Sequence, residues 1–272
     1  MKQPLIILTG PTAVGKTALS IELARALNGE IIADSMQVYR YMDIGSAKIM
    51  PEEMDGIPHH LIDVLEPWEE FNVTRFQAMA KEAMAGIYSR GHVPIVTGGT
   101  GFYIQALAYD IDFTENEDHS GIREELEQLA AERGEEHLHQ MLAQIDPESA
   151  RAIHANNVKR VIRAIEYYRL TGEKISEHNK REREKNSPYD IYYYVLTRDR
   201  AALYERIDRR VDIMMEQGLV DEVKRLKEMG CTRDMVAMQG LGYKEILDYL
   251  DGTISLGEAV YIIKRDTRHF AK

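Results

Sequence analysis

The stretch LIILTGPTAVGKT, residues 5–17, decides how the chain is read. Leu5, Ile6, Ile7 and Leu8 form a continuous apolar run of the kind that fills a buried strand, and Gly10-Pro11 cuts it off. Gly15-Lys16-Thr17 then opens a helical pattern that stops near Asn28-Gly29. The spacing is G-x-x-x-x-G-K-[ST], a phosphate-binding loop in its proper strand-to-helix setting. Glycines let backbone N–H groups approach phosphate oxygens, Lys16 adds a point charge, and Thr17 can hold a Mg²⁺ ion. The positive end of the following helix points at the same place. Gly10, Pro11, Thr12, Ala13, Val14, Gly15, Lys16 and Thr17 are therefore the expected diphosphate site, with Thr17 the expected metal ligand. Such a loop does not read what hangs from the phosphates, so weak ATP binding is compatible with it.

Outward from this loop, strand and helix patterns alternate. Residues 30–33 form a second short strand ending at Asp34-Ser35, HHLIDV (59–64) a third apolar run, and 93–96 a strand that enters TGGTG (97–101). Between them, residues 74–90 place Phe76, Met79, Ala83 and Ile87 on one helical face. This alternation predicts an α/β fold, a P-loop parallel sheet with helices on both faces. From 114 to 187 no strand is expected. Ser120 can cap one helix, Asp146-Pro147 starts another, and Asn156 or Asn157 caps a third that carries Val158, Val161, Ile162 and Ile165 and ends at Gly172. DIYYYVLTRD (190–199) returns to a strand that should rejoin the sheet, and 203–229 and 256–269 read as further helices. The expectation is a core of residues 1–113 and 188–272 with an all-helical insertion at 114–187.

Composition bounds the function. With 272 residues and 44% apolar content the chain can bury a full core. The net charge is -11, yet 34 Lys and Arg leave room for a local basic surface. The single cysteine, Cys231, excludes an internal disulfide and fits a reducing compartment. No apolar run approaches the ~20 residues of a membrane span, and none has the form of a secretory signal. A soluble, cytoplasmic monomer is expected.

The loop leaves the reaction open. A GTPase needs N-K-x-D, but Asn179-Lys180 is followed by Glu182 at the fourth position. A water-activating ATPase wants an acidic strand end, whereas PIVTGGTG (94–101) ends in threonine and glycine. Asp34 follows the second strand and is either an N-cap for SMQVYRYM or a carboxylate above the phosphate loop, acting as a base or hydroxyl binder. Lys159, Arg160 and Arg163 lie off the apolar face of their helix, and 159–185 carries nine basic against five acidic residues. That is either a solvated face or a polyanion contact. Arg206 and Arg210, four apart, can clamp a diphosphate or make surface ion pairs with Glu205 or Asp208. His59 and His60 would point to opposite strand faces, which argues against a metal pair. A small-molecule or nucleotide kinase and a non-catalytic RNA-binding module are the rival readings.

The blocks GPTAVGKT, ADSMQVYRYMDIGSAK, HHLID, VTGGTGFY, NNVKRVIRAIEYYRLTG, LYERIDRRVDIMMEQGLVDEV and GLGYKEI occur in the order found in tRNA dimethylallyltransferases, and over nearly its whole length the chain resembles that family. The resemblance implies transfer of a dimethylallyl group from dimethylallyl diphosphate to the adenosine next to the anticodon, with the tRNA anticodon arm as partner and Mg²⁺ as cofactor. It makes Asp34 the general base and places Thr17 and Thr100 near the reacting centre, with Arg206 on the diphosphate. It assigns Asp34, Ser35, Met36 and Gln37 to the adenine-reading surface. Lys159, Arg160, Val161, Ile162 and Arg163, and Gln239, Gly240, Leu241, Gly242, Tyr243 and Lys244, match tRNA-contacting segments. Ser46 and Ile49 depart from the usual threonine and proline, with little consequence expected. RDTRHFAK (265–272) halts where the family pattern continues into a basic, aromatic segment, which implies either a piece of a longer chain or a weaker grip on RNA.

Overall fold

Successive residues of a strand face opposite sides of the sheet, so Ile6 and its neighbours Leu5 and Ile7 must pack against different helices. The computed structural model, which describes residues 2–113 and 121–271, shows this. It divides into two compact units, residues 1–110 with 187–272, and residues 111–186. In the first unit β1 (Pro4–Thr9), α1 (Lys16–Leu27), β2 (Gly29–Ile32), β3 (His59–His60), α2 (Val73–Ser89), β4 (Val93–Gly98) and α3 (Gly101–Ala108) follow in order. After the second unit's α4 (Ile122–Arg133), α5 (Glu135–Ile145), α6 (Pro147–Ala152), α7 (Val158–Thr171) and α8 (Ile175–Arg183), the chain returns as β5 (Asp190–Val195), α9 (Arg200–Glu216), α10 (Leu219–Glu228), α11 (Tyr243–Leu250) and α12 (Leu256–Phe270).

The sheet is parallel, in the order β3-β2-β4-β1-β5. Ile95 pairs with both Ile6 and Ile31, and this row packs with Ala24 of α1. On the other face Leu5, Ile7, Ile32 and Val96 meet Phe76, Ala80, Met84 and Ile87 of α2. Each of the larger side chains among these, fully withdrawn from water, contributes roughly 1.5–3 kcal/mol. In the second unit Leu126, Leu138, Leu142, Val161, Ile162 and Ile165 form a separate core. Its pivot is Asp146, whose buried carboxylate accepts the N–H and hydroxyl of both Ser149 and Ser176. Asn157 caps α7, while Ser120 lies outside the described residues. No helix among the described residues is long and apolar enough to cross a membrane.

Three expectations need correction. HHLIDV contributes only His59 and His60 to the sheet, because Leu61 and Asp63 adopt left-handed backbone (φ 61 and 53). The expected helix over 203–229 is two, α9 and α10, broken at Gly218 with φ 97. The segment SMQVYRYM forms one 3₁₀ turn, Ser35–Val38, and no longer helix.

One charged group is buried at the start of β2. Glu30, 2% exposed, takes Arg90 on both oxygens at 2.8 and 2.7 Å, and His60 Nε2 and His92 Nδ1 at 2.6 Å each. The Arg90 hydrogen bonds lead these partners in holding its pKa down, from 4.5 to about 2, against the opposing effect of burial. A carboxyl depressed on folding stabilises the fold fully above its unfolded pKa, and that stability disappears as pH falls through the folded value. Glu30→Gln should therefore melt below the wild type at pH 7, and the gap should narrow between pH 4.5 and about 2. Thermal melts of both proteins across that range check it.

Candidate active site

β1, β2 and β4 end side by side, and in an open parallel sheet that edge is where ligands bind. A cleft of about 1480 Å³ opens there, lined by residues of the phosphate loop, Asp34, Thr100, Arg206 and Arg210. The loop's shape rests on glycine. Gly10 has φ 141, and a Cβ there would sit 2.5 Å from the Leu196 carbonyl oxygen. Gly15, with φ 113, starts α1 in a conformation that disfavours other residues. Val14 is buried against Leu203 and Ile207, so its side chain anchors the loop and only its backbone can face a ligand.

Positive charge collects around this loop. The Lys16 ammonium donates to the Gly10 and Pro11 carbonyls, each at 2.9 Å. Arg206 donates from Nε to the Ala13 carbonyl at 2.9 Å, tying α9 to the loop. Burial pulls both Lys16 and Arg210 below their ordinary pKa values, and the Asp34 carboxylate pushes each back up. The two cations and this carboxylate thus share one electrostatic environment. Arg206 and Arg210 belong to the cleft, and the alternative partner Asp208 is taken by Arg268.

Asp34 caps the Ser35–Val38 turn and also lines the cleft. Its Oδ1 accepts the Met36 N–H at 3.4 Å, a long capping bond, while Oδ2 accepts the Gly99 N–H at 2.9 Å. The Ser35 hydroxyl lies 3.3 Å from Asp34 Oδ1 and 3.1 Å from Thr100 Oγ1. Thr100 precedes α3 without capping it; its hydroxyl meets that of Ser35, and the residue lines the cleft. The result is a carboxylate with a chain of two hydroxyls beside a phosphate cradle. Thr17 is exposed at the first turn of α1 and lines the same cleft. Among the described residues no cluster of three His, Cys, Asp or Glu side chains could hold a metal. One hydroxyl and a nearby carboxylate suit Mg²⁺, which keeps waters and takes substrate phosphates as its other ligands.

The remaining wall includes Met36, Gln37, Ser46, Ile49, Gln239, Gly240, Leu241 and Lys244. Two residues expected to touch RNA are withdrawn from solvent, although Tyr243 still borders the cleft. Tyr243 is 1% exposed and its hydroxyl is engaged by Glu222 and the Ser46 N–H, and Gly242 is buried beneath the wall. In the second unit Val161 and Ile162 are core residues and cannot contact a ligand. Lys159 and Arg160 are exposed and without ion pairs among the described residues, whereas Arg163 leans on Glu166 at 3.4 Å. Of the other basic residues of 159–185, Arg169, Lys174, Arg181 and Lys185 are paired with glutamates, which is the solvated-face behaviour.

The sequence matches the IPP transferase model over residues 37–272 and the isopentenyl transferase model over residues 3–66. The chain belongs to the IPP transferase family. It is 64% identical over 271 residues to a tRNA dimethylallyltransferase of Lachnoclostridium phytofermentans, covering 99% of this chain and 87% of that protein. It is 54% identical to that of Carboxydothermus hydrogenoformans, covering 100% and 88%. Among solved structures it resembles the full-length tRNA isopentenylpyrophosphate transferase of Bacillus halodurans, at 47% identity and TM-score 0.73 over 99% of this chain and 84% of that one. A eukaryotic dimethylallyltransferase acting on tRNA is similar at 32% identity and TM-score 0.83, covering 99% of this chain and 68% of that one.

Within this family member, one residue that holds the cleft wall from beneath escaped sequence reasoning. Glu222 sits on the stripe of Leu219, Val223 and Leu226 that α10 buries, and a carboxylate on an apolar stripe was the available signal. Arg210 is the cation whose loss should read out most directly. Arg210→Ala should weaken Mg²⁺–pyrophosphate binding roughly 10- to 100-fold, the worth of one charge-assisted hydrogen bond, while Arg209→Ala, outside the cleft, leaves it unchanged. Isothermal titration calorimetry checks both.

Proposed function

We infer that this chain transfers a dimethylallyl group from dimethylallyl diphosphate to the N6 amine of the adenosine next to the anticodon in tRNA, releasing diphosphate. The observation that carries the reading is one cleft holding a phosphate cradle, two cations and a carboxylate with its own hydroxyl partners. The family's tRNA-acting relatives, named above, supply the substrate class.

The chemistry follows from the residues. The amine nitrogen attacks the allylic carbon, the new C–N bond forms, and the C–O bond to the diphosphate breaks with its electron pair. Lys16, Arg206, Arg210 and the backbone N–H groups of the phosphate loop stabilise the charge on the departing oxygens. Thr17 would hold a Mg²⁺ ion, which would supply positive charge to the leaving group. The N6 proton passes to Asp34, which the Gly99 N–H orients and the Ser35 hydroxyl, itself in contact with that of Thr100, approaches. No water has to be activated, which suits a strand end of threonine and glycine. The adenine must leave its stack to reach the cleft, at a cost of a few kcal/mol. Lys159 and Arg160, with Lys180 and Arg183 on α8, offer exposed charge to tRNA phosphates.

Mass spectrometry of tRNA nucleosides after incubation with dimethylallyl diphosphate tests the reading. Wild type should produce the N6-dimethylallyl nucleoside, and Asp34→Asn should lose ~10²–10⁴-fold in rate while still binding tRNA. Transfer of the ATP γ-phosphate to an acceptor, with ADP released, would instead support a kinase.

A second expectation concerns the insertion. Replacing Lys159 and Arg160 by glutamine should lower the slope of log affinity against log salt by up to about 0.9 for each phosphate left without its cation. Binding of the small donor should not move. Filter binding across a salt series reads the slope.

A further inference from the structure

Four successive backbone N–H groups, those of residues 43–46, turn toward one point beneath the cleft wall. Three of them reach Glu222: Asp43 and Ile44 donate to Oε2 at 2.9 and 2.8 Å, and Gly45 donates to Oε1 at 3.1 Å. The fourth, from Ser46, donates to the Tyr243 oxygen at 3.0 Å, and that phenol donates to Glu222 Oε1 at 2.8 Å. A run of converging amides is a concavity that ordinarily binds an external anion. Here the protein fills it with its own carboxylate, 1% exposed and carried by α10. The Tyr243 ring then joins two stretches of the wall. A Cβ on Gly45 would lie 2.5 Å from the ring, and one on Gly240 would lie 3.3 Å from it and 2.9 Å from the Met36 methyl.

Glu222 does not line the cleft, yet the stretches it organises do. Gly45, Ser46, Gln239, Gly240 and Met36 give this wall amides, a hydroxyl and a thioether, with one cation, Lys244, 3.6 Å from Glu245, whereas Lys16, Arg206 and Arg210 cluster on the phosphate loop and α9. Neutral donors and acceptors suit a nucleobase, and cations suit a diphosphate. We propose that Glu222 and Tyr243 are positioning residues for the acceptor: by clamping 43–46 to α10 and α11 they set the shape of the wall that receives the target nucleoside. The proposal rests on the transferase reading above.

The test uses the full chain, with wild type, Glu222→Gln and Tyr243→Phe compared in the transfer assay and by pyrophosphate titration. Glu222→Gln turns an NH₂ toward amide donors and should raise KM for tRNA roughly tenfold or more. Tyr243→Phe keeps the ring against both glycines and loses only the hydroxyl, so its KM should rise less, about threefold to tenfold. In both, kcat at saturating tRNA and pyrophosphate affinity should stay within about threefold of wild type. A merely structural role would lower the melting temperature and the active fraction without moving KM. Should Glu222→Gln not fold, Tyr243→Phe decides. An unmoved tRNA KM in the folded variants, or loss of pyrophosphate binding in step with kcat, overturns the clamp. Failure of wild type to transfer overturns the functional reading itself.

Discussion

The hydrogen bond from the Gly99 N–H to Asp34 Oδ2, at 2.9 Å, joins the end of β2 to the end of β4 directly beside the phosphate loop. It exists because the two strands pair in parallel, with Ile31 opposite Ile95 and Ile32 opposite Val96, so that both chains reach the sheet edge together. It also requires room. A Cβ on Gly98 would lie 3.4 Å from the same carboxylate oxygen, a contact at the tight limit, and Gly99 has only Asp34 Oδ2 and the Gly10 carbonyl near its own. The acid side chain is thereby held where Lys16 and Arg210 feel its charge. Preorganisation of this kind places fixed dipoles at the reacting centre before substrate arrives.

The phosphate loop is used here without the partner that a hydrolase would need. Backbone amides and Lys16 recognise a diphosphate whatever is attached to it, so the fold alone does not specify the reaction. What distinguishes this cleft is the carboxylate beside the cradle and the mostly uncharged wall next to it. On the proposed reading, nucleophile and leaving group would be served by different surfaces of the one cleft.

Buried charge pins the loops that the sheet does not reach. Lys48, with its side chain 2% exposed, donates to the Tyr39 carbonyl at 2.7 Å and to Asp43 and Asp63 at 2.6 and 2.5 Å. Glu222 takes three amides of the adjoining turn, and Glu30 gathers an arginine and two histidines at the start of β2. Removing one member of such a set leaves a buried charge unpaired, which is strongly destabilising. The loops between strands are therefore specified by discrete polar contacts, and the sheet by apolar burial.

Local pattern determined much of this protein. The apolar runs of β1 and β4, the cap at Asn157, the Asp146-Pro147 start of α6 and the phosphate loop itself are short-range features, legible because propensity and periodicity act over a few residues. The α/β order and the helical character of the second unit follow from the same signals. Tertiary structure decided the rest. The hydrogen bond that fixes Asp34 Oδ2 comes from Gly99, 65 residues away, and the amide partners of Glu222 lie 177 to 179 residues back in the chain. Tyr243 and Gly242 stood in a segment matched to RNA contact, yet packing put one phenol and one glycine beneath the surface and left Gln239 and Lys244 upon it. Gly218 broke a continuous apolar stripe into α9 and α10, which periodicity by itself could not detect. The reason is physical: hydrophobic period reports which face of an element is buried, whereas the identity of what lies across that face is set by chain topology.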